Sequence, residues 1–384
     1  MQEAEAWPLP QYLDCDIIGA RMAGMDINLL APICRTGYGV VGLNLLVSLT
    51  RQGHRVALFP RGSVETPPEH AACVKAAHER QAFYNPDAPS VRLAQHFHLF
   101  EHVGRNLHCG FPIFELNRFV KAEVHHMRCM DRLLVCSHWA QGILLEHGLS
   151  QDQIRVVPLG VDTTVFSPET ETVSSNEMKD TIFCSVGKFE KRKGQDILIE
   201  AFNLAFEPGD SVQLIVHGWN AMLDQAANQA WVERFKTSKM GGAITVTAGP
   251  LTSQAEVAGL MRLADCGVFP ARAEGWNLEL LEMMALGKAV IATHYSGHTE
   301  FVRPDNCRLI PVGDLELAED GMAFRSQGNW AKLGREQVDS LVGHLREVHH
   351  QKQSGQLRRN EAGIAMAQKL SWDNTAQSLI RAFA

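Results

Sequence analysis

Short apolar runs bounded by glycine or proline alternate along this chain with stretches whose apolar residues recur at three- and four-residue spacing, the signature of strands alternating with amphipathic helices. Cys15–Ala20 reads as a strand, Thr36–Leu46 as a glycine-rich loop entering a helix, and Gly53–Phe59 as the next strand, together one β-α-β unit. Residues 61–90, with Pro67, Pro68, Pro86 and Pro89, predict a solvated helix between loops that carries little exposed aromatic surface. Val91–His98 predicts a strand ending in His-x-His, with both imidazoles on one side of an extended segment. An amphipathic helix is predicted over Leu116–Arg132, its His125 and His126 at the surface. Asp131–Trp139 and Ile154–Asp162 each hold a further short strand.

The second half repeats the theme. An apolar strand from Phe183 runs into the basic loop Lys188–Gly194, and Gln195–Phe202 has helical periodicity. Leu263–Pro270 reads as a helix end leading to a short buried strand that Pro270 stops. Glu274–Gly287 then reads as a loop turning directly into a helix, and Lys288–Thr293 as another strand. Leu370–Phe383 is a capped terminal helix, with Ser371 as N-cap and Leu379, Ile380 and Phe383 as its apolar stripe. Alternating strands and helices predict parallel α/β sheets.

A chain of 384 residues suits two such domains better than one core. Hydrophobic content of 45% and charged content of 21% are those of a folded globular protein. A formal net charge of −7 gives no general attraction to nucleic acid or anionic lipid, which makes a nucleic-acid partner an unfavoured expectation. Nine cysteines without Cys-x-x-Cys or zinc-finger spacing predict reduced thiols in a cytoplasmic protein, free or peripheral at a membrane. The acidic Met1–Trp7 segment lacks the regions of a signal peptide, and no stretch of about 18 apolar residues predicts a membrane span.

Candidate chemistry concentrates at Glu274 and Glu282. One lies in the loop and the other about two turns into the helix, so the helix start at Gly275, Asn277, Leu278 and Glu279 falls between them. Unpaired N–H groups and the positive dipole end make such a start a ready phosphate site. Flanking carboxylates could hold hydroxyl-rich groups on either side, which is the layout of a nucleotide-sugar. Cations at Lys188 and Lys193, between a strand and a helix start, could neutralise a diphosphate.

With Ala285, Gly287, Gly297 and Glu300 in sequence, the Glu274–Glu282 block resembles the donor-binding block of retaining nucleotide-sugar glycosyltransferases of the GT-B fold, family 4. The basic loop is similar to that family's Gly-Arg-x-x-x-x-Lys-Gly block, with Lys188 in place of the usual arginine and Lys193 matching the lysine. Lys188 keeps the charge but not the planar fork of arginine. Asp131–Trp139 with Pro158-Leu159-Gly160-Val161-Asp162 resembles the passage into the interdomain linker. The resemblance runs from about Gly37 to the C-terminus and is strongest between Asp131 and Glu300.

The resemblance implies two Rossmann-like domains facing a cleft. An N-terminal acceptor domain over 1–165, a linker over 166–180, a donor-binding domain over 181–366 and a helix over 367–384 crossing back to the first domain are expected. It further implies that Glu274 holds the transferred sugar, that Glu282 grips the ribose, and that Lys193 and Lys188 meet the diphosphate. Gly37 and Gly39 would reach across the cleft, and His96, His98 and Glu115 would lie on the acceptor side, with His98 near the sugar. No cofactor and no protein-bound metal are expected. The implied activity is transfer of a sugar from a nucleoside diphosphate-sugar to an acceptor hydroxyl with retention. An epimerase or sugar-phosphate synthase with the same donor site, a nucleic-acid-modifying transferase and a non-catalytic nucleotide-sugar binder are the alternatives.

Overall fold

The computed structural model describes residues 24–168, 180–249, 251 and 253–384, and its architecture is two parallel sheets, each wrapped by helices. The first comprises β1 (Asp26–Ala31), β2 (Arg55–Pro60), β3 (Ser90–Ala94), β4 (His108–Pro112), β5 (Arg132–Val135) and β6 (Ile154–Val156), in the order β2-β1-β3-β4-β5-β6. Helices α1 (Gly37–Arg51), α2 (Ala71–Glu79), α3 (Lys121–Arg128) and α4 (His138–Glu146) connect them. The second comprises β7 (Thr181–Val186), β8 (Val212–Gly218), β9 (Ile244–Ala248), β10 (Cys266–Phe269), β11 (Ala289–Thr293) and β12 (Arg308–Ile310), in the order β12-β11-β10-β7-β8-β9. Its helices are α5 (Gln195–Ala205), α6 (Gln225–Lys236), α7 (Gln254–Arg262) and α8 (Leu278–Ala285), followed by α9 (Arg335–Gln353), α10 (Glu361–Lys369) and α11 (Trp372–Arg381). All six positions of β7 and all five of β11 are buried, as strands covered by helices on both faces must be.

In the second sheet the strand order reverses between β7 and β10, opening a crevice at their carboxyl ends where ligands of such folds collect. The loops leaving those two strands are the basic loop and the segment carrying Glu274. Across from them lie the carboxyl ends of β4 and β5.

The chain's last helix closes the circuit. Val161 N–H donates to the Leu370 carbonyl at 2.8 Å, and α11 packs on α1, where Arg51 meets Asp373 at 2.6 Å. One continuous cluster of buried apolar side chains runs from Leu45 and Leu49 of α1 through Leu379 and Ile380 of α11 to Leu280 and Met284 of α8.

Four local expectations need correction. The strand feeding the glycine loop is Asp26–Ala31, and Cys15–Ala20 lies outside the described residues. The helix expected over Leu116–Arg132 is confined to Lys121–Arg128, because Glu123 accepts the Val120 N–H and so starts the helix there. The segment after α2 does expose aromatic surface, since Phe83 is 89% exposed. The extended run expected to end at His98 stops at Ala94, and the His98 N–H turns back to the Gln95 carbonyl at 2.9 Å.

A feature absent from the sequence reading is an antiparallel hairpin between β12 and α9, formed by β13 (Leu315–Glu319) and β14 (Arg325–Ala331).

Candidate active site

Glu274 leaves β10 with only 4% of its surface exposed, and its carboxylate lies between two cations. Arg192 Nη1 stands 2.9 Å from one oxygen and Lys193 Nζ 2.8 Å from the other. Burial pushes the Glu274 pKa up, but the attraction and hydrogen bonds of Arg192 and Lys193 outweigh it and hold the group at about 2. Lys193 is affected in the mirror sense. Burial favours its neutral form, but Glu274 and Glu279, the latter 3.6 Å away, raise it to about 12. Both groups are therefore charged throughout the physiological range.

Arg192 organises the cluster. Its buried guanidinium donates to the Ala273 carbonyl at 2.6 Å, bonds Glu190, and lies 4.0 Å from Glu115. Glu115 reaches it from the loop after β4, so the first domain contributes a carboxylate to a centre otherwise built by the second. Desolvation, reinforced by Glu190 and Glu274, raises the Glu115 pKa against the pull of Arg192. Lys188 sits at the rim, half exposed, 3.6 Å from Glu190.

Helix α8 starts beside this cluster. Asn277 caps it at φ 76°, a left-handed conformation that asparagine tolerates, and its side chain accepts from the Leu280 N–H at 3.3 Å. Leu278 and Glu279 form the first turn, with their N–H groups facing the crevice end of the helix. One and a half turns further, Glu282 is 6% exposed, and no hydrogen-bond or ion-pair partner of its carboxylate is found among the described residues. Its pKa is accordingly raised well above the usual carboxylate range, by burial first and by Glu279 second. A buried, unpartnered carboxylate next to a helix start is what a hydroxyl-bearing ligand would satisfy.

At Gly275 the two domains touch. A Cβ there would lie 2.5 Å from Ile113 Cγ2, and the Gly275 carbonyl accepts from the Cys136 thiol at 3.0 Å. A second bridge joins Glu300 to the start of α4, where its carboxylate accepts from the His138 N–H at 2.8 Å and from Nδ1 at 2.9 Å.

Of the remaining sequence candidates, the glycine loop borders the cluster through Tyr38, whose hydroxyl donates to the Ile113 carbonyl beside Gly275. Gly37 opens α1 facing open space, whereas Gly39 is packed on Cys34. The His-x-His pair does not share a side. His96 turns inward to Glu123 at 3.2 Å against Phe119, and its pKa is lowered by burial. His98 is exposed beside Phe97 and Phe100. The turn at Gln95 rotates the two rings apart, and neither has a hydrogen bond or ion pair to the Glu274 cluster. Among the described residues no group of three or more His, Cys, Asp or Glu is arranged to hold a metal ion.

Sequence reasoning missed Arg192, Glu190 and His138. Arg192 lies inside the Lys-Arg-Lys run, where its neighbours look equally basic, and only burial separates it from them. The sequence marks Glu300 as part of a motif but does not pair it with His138, 162 residues away.

Comparison with known proteins places this geometry. Residues 167–324 match the family of glycosyl transferases group 1. A D-inositol 3-phosphate glycosyltransferase of Segniliparus rotundus is 25% identical over 261 residues, covering 66% of this chain and 52% of that protein. The chain spans about half the length of the first curated relatives it matches. Sucrose-phosphate synthase from Thermosynechococcus elongatus superposes with a TM-score of 0.68 at 17% identity, over 93% of this chain and 98% of that one. HepE of Anabaena in complex with UDP-glucose superposes with a TM-score of 0.63 at 16% identity, over the same shares of the two chains. The chain thus has the GT-B fold, and its residues 167–324 are similar to the glycosyl transferases group 1.

Proposed function

We propose that this protein transfers a sugar from a nucleoside diphosphate-sugar to an acceptor hydroxyl, with retention at the anomeric carbon and without a protein-bound metal. The observation that carries the reading is Glu274 held ionised by Arg192 and Lys193 at the start of α8, with the unpartnered Glu282 further along the same helix. The relatives' names, glycosyltransferases and a mannosyltransferase, support it, as does the UDP-glucose bound by HepE.

Departure of the nucleoside diphosphate separates charge, and each end meets a prepared group. Lys193, Lys188 and the N–H groups of Leu278 and Glu279 face the growing negative charge on the diphosphate. The Glu274 carboxylate accepts from hydroxyls of the transferred sugar and stabilises the positive charge developing on its ring. Glu282 accepts from the ribose hydroxyls. With the two domains in contact at Gly275, water is kept from the reacting carbon. In this reading the leaving phosphate itself takes the acceptor's proton, so no protein nucleophile is required. The acceptor is approached from the Glu115 side of the cleft, with His98 at its outer edge.

A thermal-shift panel of nucleotide-sugars tests the donor assignment, because a ligand of the native state raises its melting temperature. One nucleotide-sugar should stabilise the protein, and its turnover should persist in EDTA. No shift with any donor would remove the proposal, and activity lost in EDTA and restored by a divalent ion would remove its metal-independent part.

A further inference from the structure

The β13–β14 hairpin grows from the donor domain but makes its closest contacts with the acceptor loop. Asn329 N–H donates to Asn117 Oδ1 at 2.8 Å, across 212 residues of sequence. Gly328 lies so close to the same loop that a Cβ there would meet Leu116 Cβ at 3.1 Å and the Arg118 nitrogen at 3.3 Å. Beneath these contacts Leu116, Ala273, Ala318 and the fully buried Trp330 form a separate apolar cluster, with one member from the acceptor loop, one from the Glu274 loop and two from the hairpin.

The hairpin is equally well fixed to the donor side. Ala331 N–H donates to the Arg272 carbonyl at 2.9 Å, Arg272 Nε lies 3.5 Å from Glu316, and Trp330 Nε1 bonds Glu316 at 3.1 Å. The Arg272 guanidinium is held by Asp196 through two 2.8 Å bonds, which ties the hairpin base to the first turn of α5. Lys191 of the basic loop lies over the Trp330 ring at 5.6 Å and donates to the Glu319 carbonyl. Every anchor thus belongs to a loop that also carries a residue of the candidate centre: Glu115 beside Leu116, Arg192 beside Lys191, and Glu274 beside Ala273.

We infer that the hairpin is a clamp that fastens the Glu115-bearing loop to the donor domain, positioning Glu115 against Arg192 and closing that side of the cleft to water. The inference rests on the donor-site reading above for its catalytic consequence but not for its mechanical one. Asn117 and Gly328 are positioning residues here; neither has a contact with Glu274, Arg192 or Lys193.

Three variants test it: Asn117→Ala removes the bond from Asn329, Gly328→Val wedges the contact with Leu116 apart, and Asn117→Asp keeps the accepting oxygen. Amide exchange across residues 113–119 should speed up about tenfold or more in the first two and stay near wild type in the third. Hydrolysis of UDP-glucose and GDP-mannose by water, read as released nucleoside diphosphate, should rise about threefold or more in the first two, with unchanged affinity for the free diphosphate. Asn117→Asp should again match wild type. Unchanged exchange in residues 113–119 overturns the clamp, whatever the turnover. Faster exchange with unchanged hydrolysis in an active protein overturns its role in excluding water. If wild type neither binds nor turns over any nucleotide-sugar, the donor reading and the catalytic half of the clamp fall together, and the exchange result still decides the mechanical half.

Discussion

Two glutamates eight positions apart take opposite electrostatic states, and the difference lies in their neighbours. Glu274 has two cations within 3 Å and is held near pKa 2, whereas Glu282 is equally buried, has no hydrogen-bond or ion-pair partner among the described residues, and is pushed upward. For Glu282 the sign is that of a carboxyl whose folded pKa exceeds its unfolded value. It costs no stability at low pH, and its cost grows as pH rises past the unfolded value. Glu282→Gln should therefore melt with wild type near pH 4 but about 2–4 °C higher at pH 7.5 without ligand. In the proposed site the same variant should bind nucleoside diphosphate about tenfold more weakly, because the ribose hydroxyls lose their carboxyl partner. Equal affinity would remove the ribose role, and equal melting at pH 7.5 would show the carboxyl to be solvated. For Glu274 the sign is reversed: its ion pairs stabilise the fold above the ordinary carboxylate range, and the contribution fades as pH falls toward 2.

At the scale of elements, the Glu274 cluster depends on one tight crossing. The loop after β11 passes directly over the loop after β10, where Gly297 N–H donates to the Glu274 carbonyl at 2.8 Å and Ser296 Oγ accepts from the Glu274 N–H at 2.8 Å. A Cβ on Gly297 would overlap the Gly275 carbonyl oxygen, so no larger residue fits without moving the Glu274 loop. Gly297→Ala should destabilise the protein by about 1–3 kcal/mol in denaturant melts. It should also abolish the donor-induced thermal shift, since the displaced loop carries Glu274. Retained donor binding with wild-type stability would show that the crossing has slack. The crossing also explains the Gly297 spacing noticed in the sequence, a regularity whose cause is contact between two loops.

Across the whole molecule the two domains share a continuous apolar core and several polar contacts, and one of those contacts titrates. The His138 imidazole is raised above its usual pKa, chiefly by its hydrogen bond to Glu300, so its stabilisation is full below the ordinary histidine range. That contribution is lost as pH rises through the raised value. Small-angle scattering of the unliganded protein should accordingly show a larger radius of gyration at pH 9 than at pH 6. Glu300→Gln should abolish that difference. A radius independent of pH in the wild-type protein would show that Gly275, Cys136 and the α11 crossover hold the domains without the histidine.

Much of this architecture is legible in one dimension because it is local. Short apolar runs locate β2, β3, β5, β6, β7, β10 and β11, helical periodicity locates α1, α5, α8 and α11, and a loop turning straight into a helix marks the start of α8. Those signals survive because hydrophobic periodicity and capping are set within a few residues. The α11 stripe likewise announced a face needing a partner, though only the fold supplied α1. What the tertiary structure alone decided is which charges are buried together. Arg192 looks no different from Lys191 in sequence, yet one is sealed between three carboxylates and the other lies over a tryptophan. His96 and His98 were separated by a turn that alternation could not foresee, and the hairpin owes its place to contacts more than 200 residues away in sequence. Desolvation and Coulomb attraction depend on distance in space, and one chain's order of residues does not contain those distances.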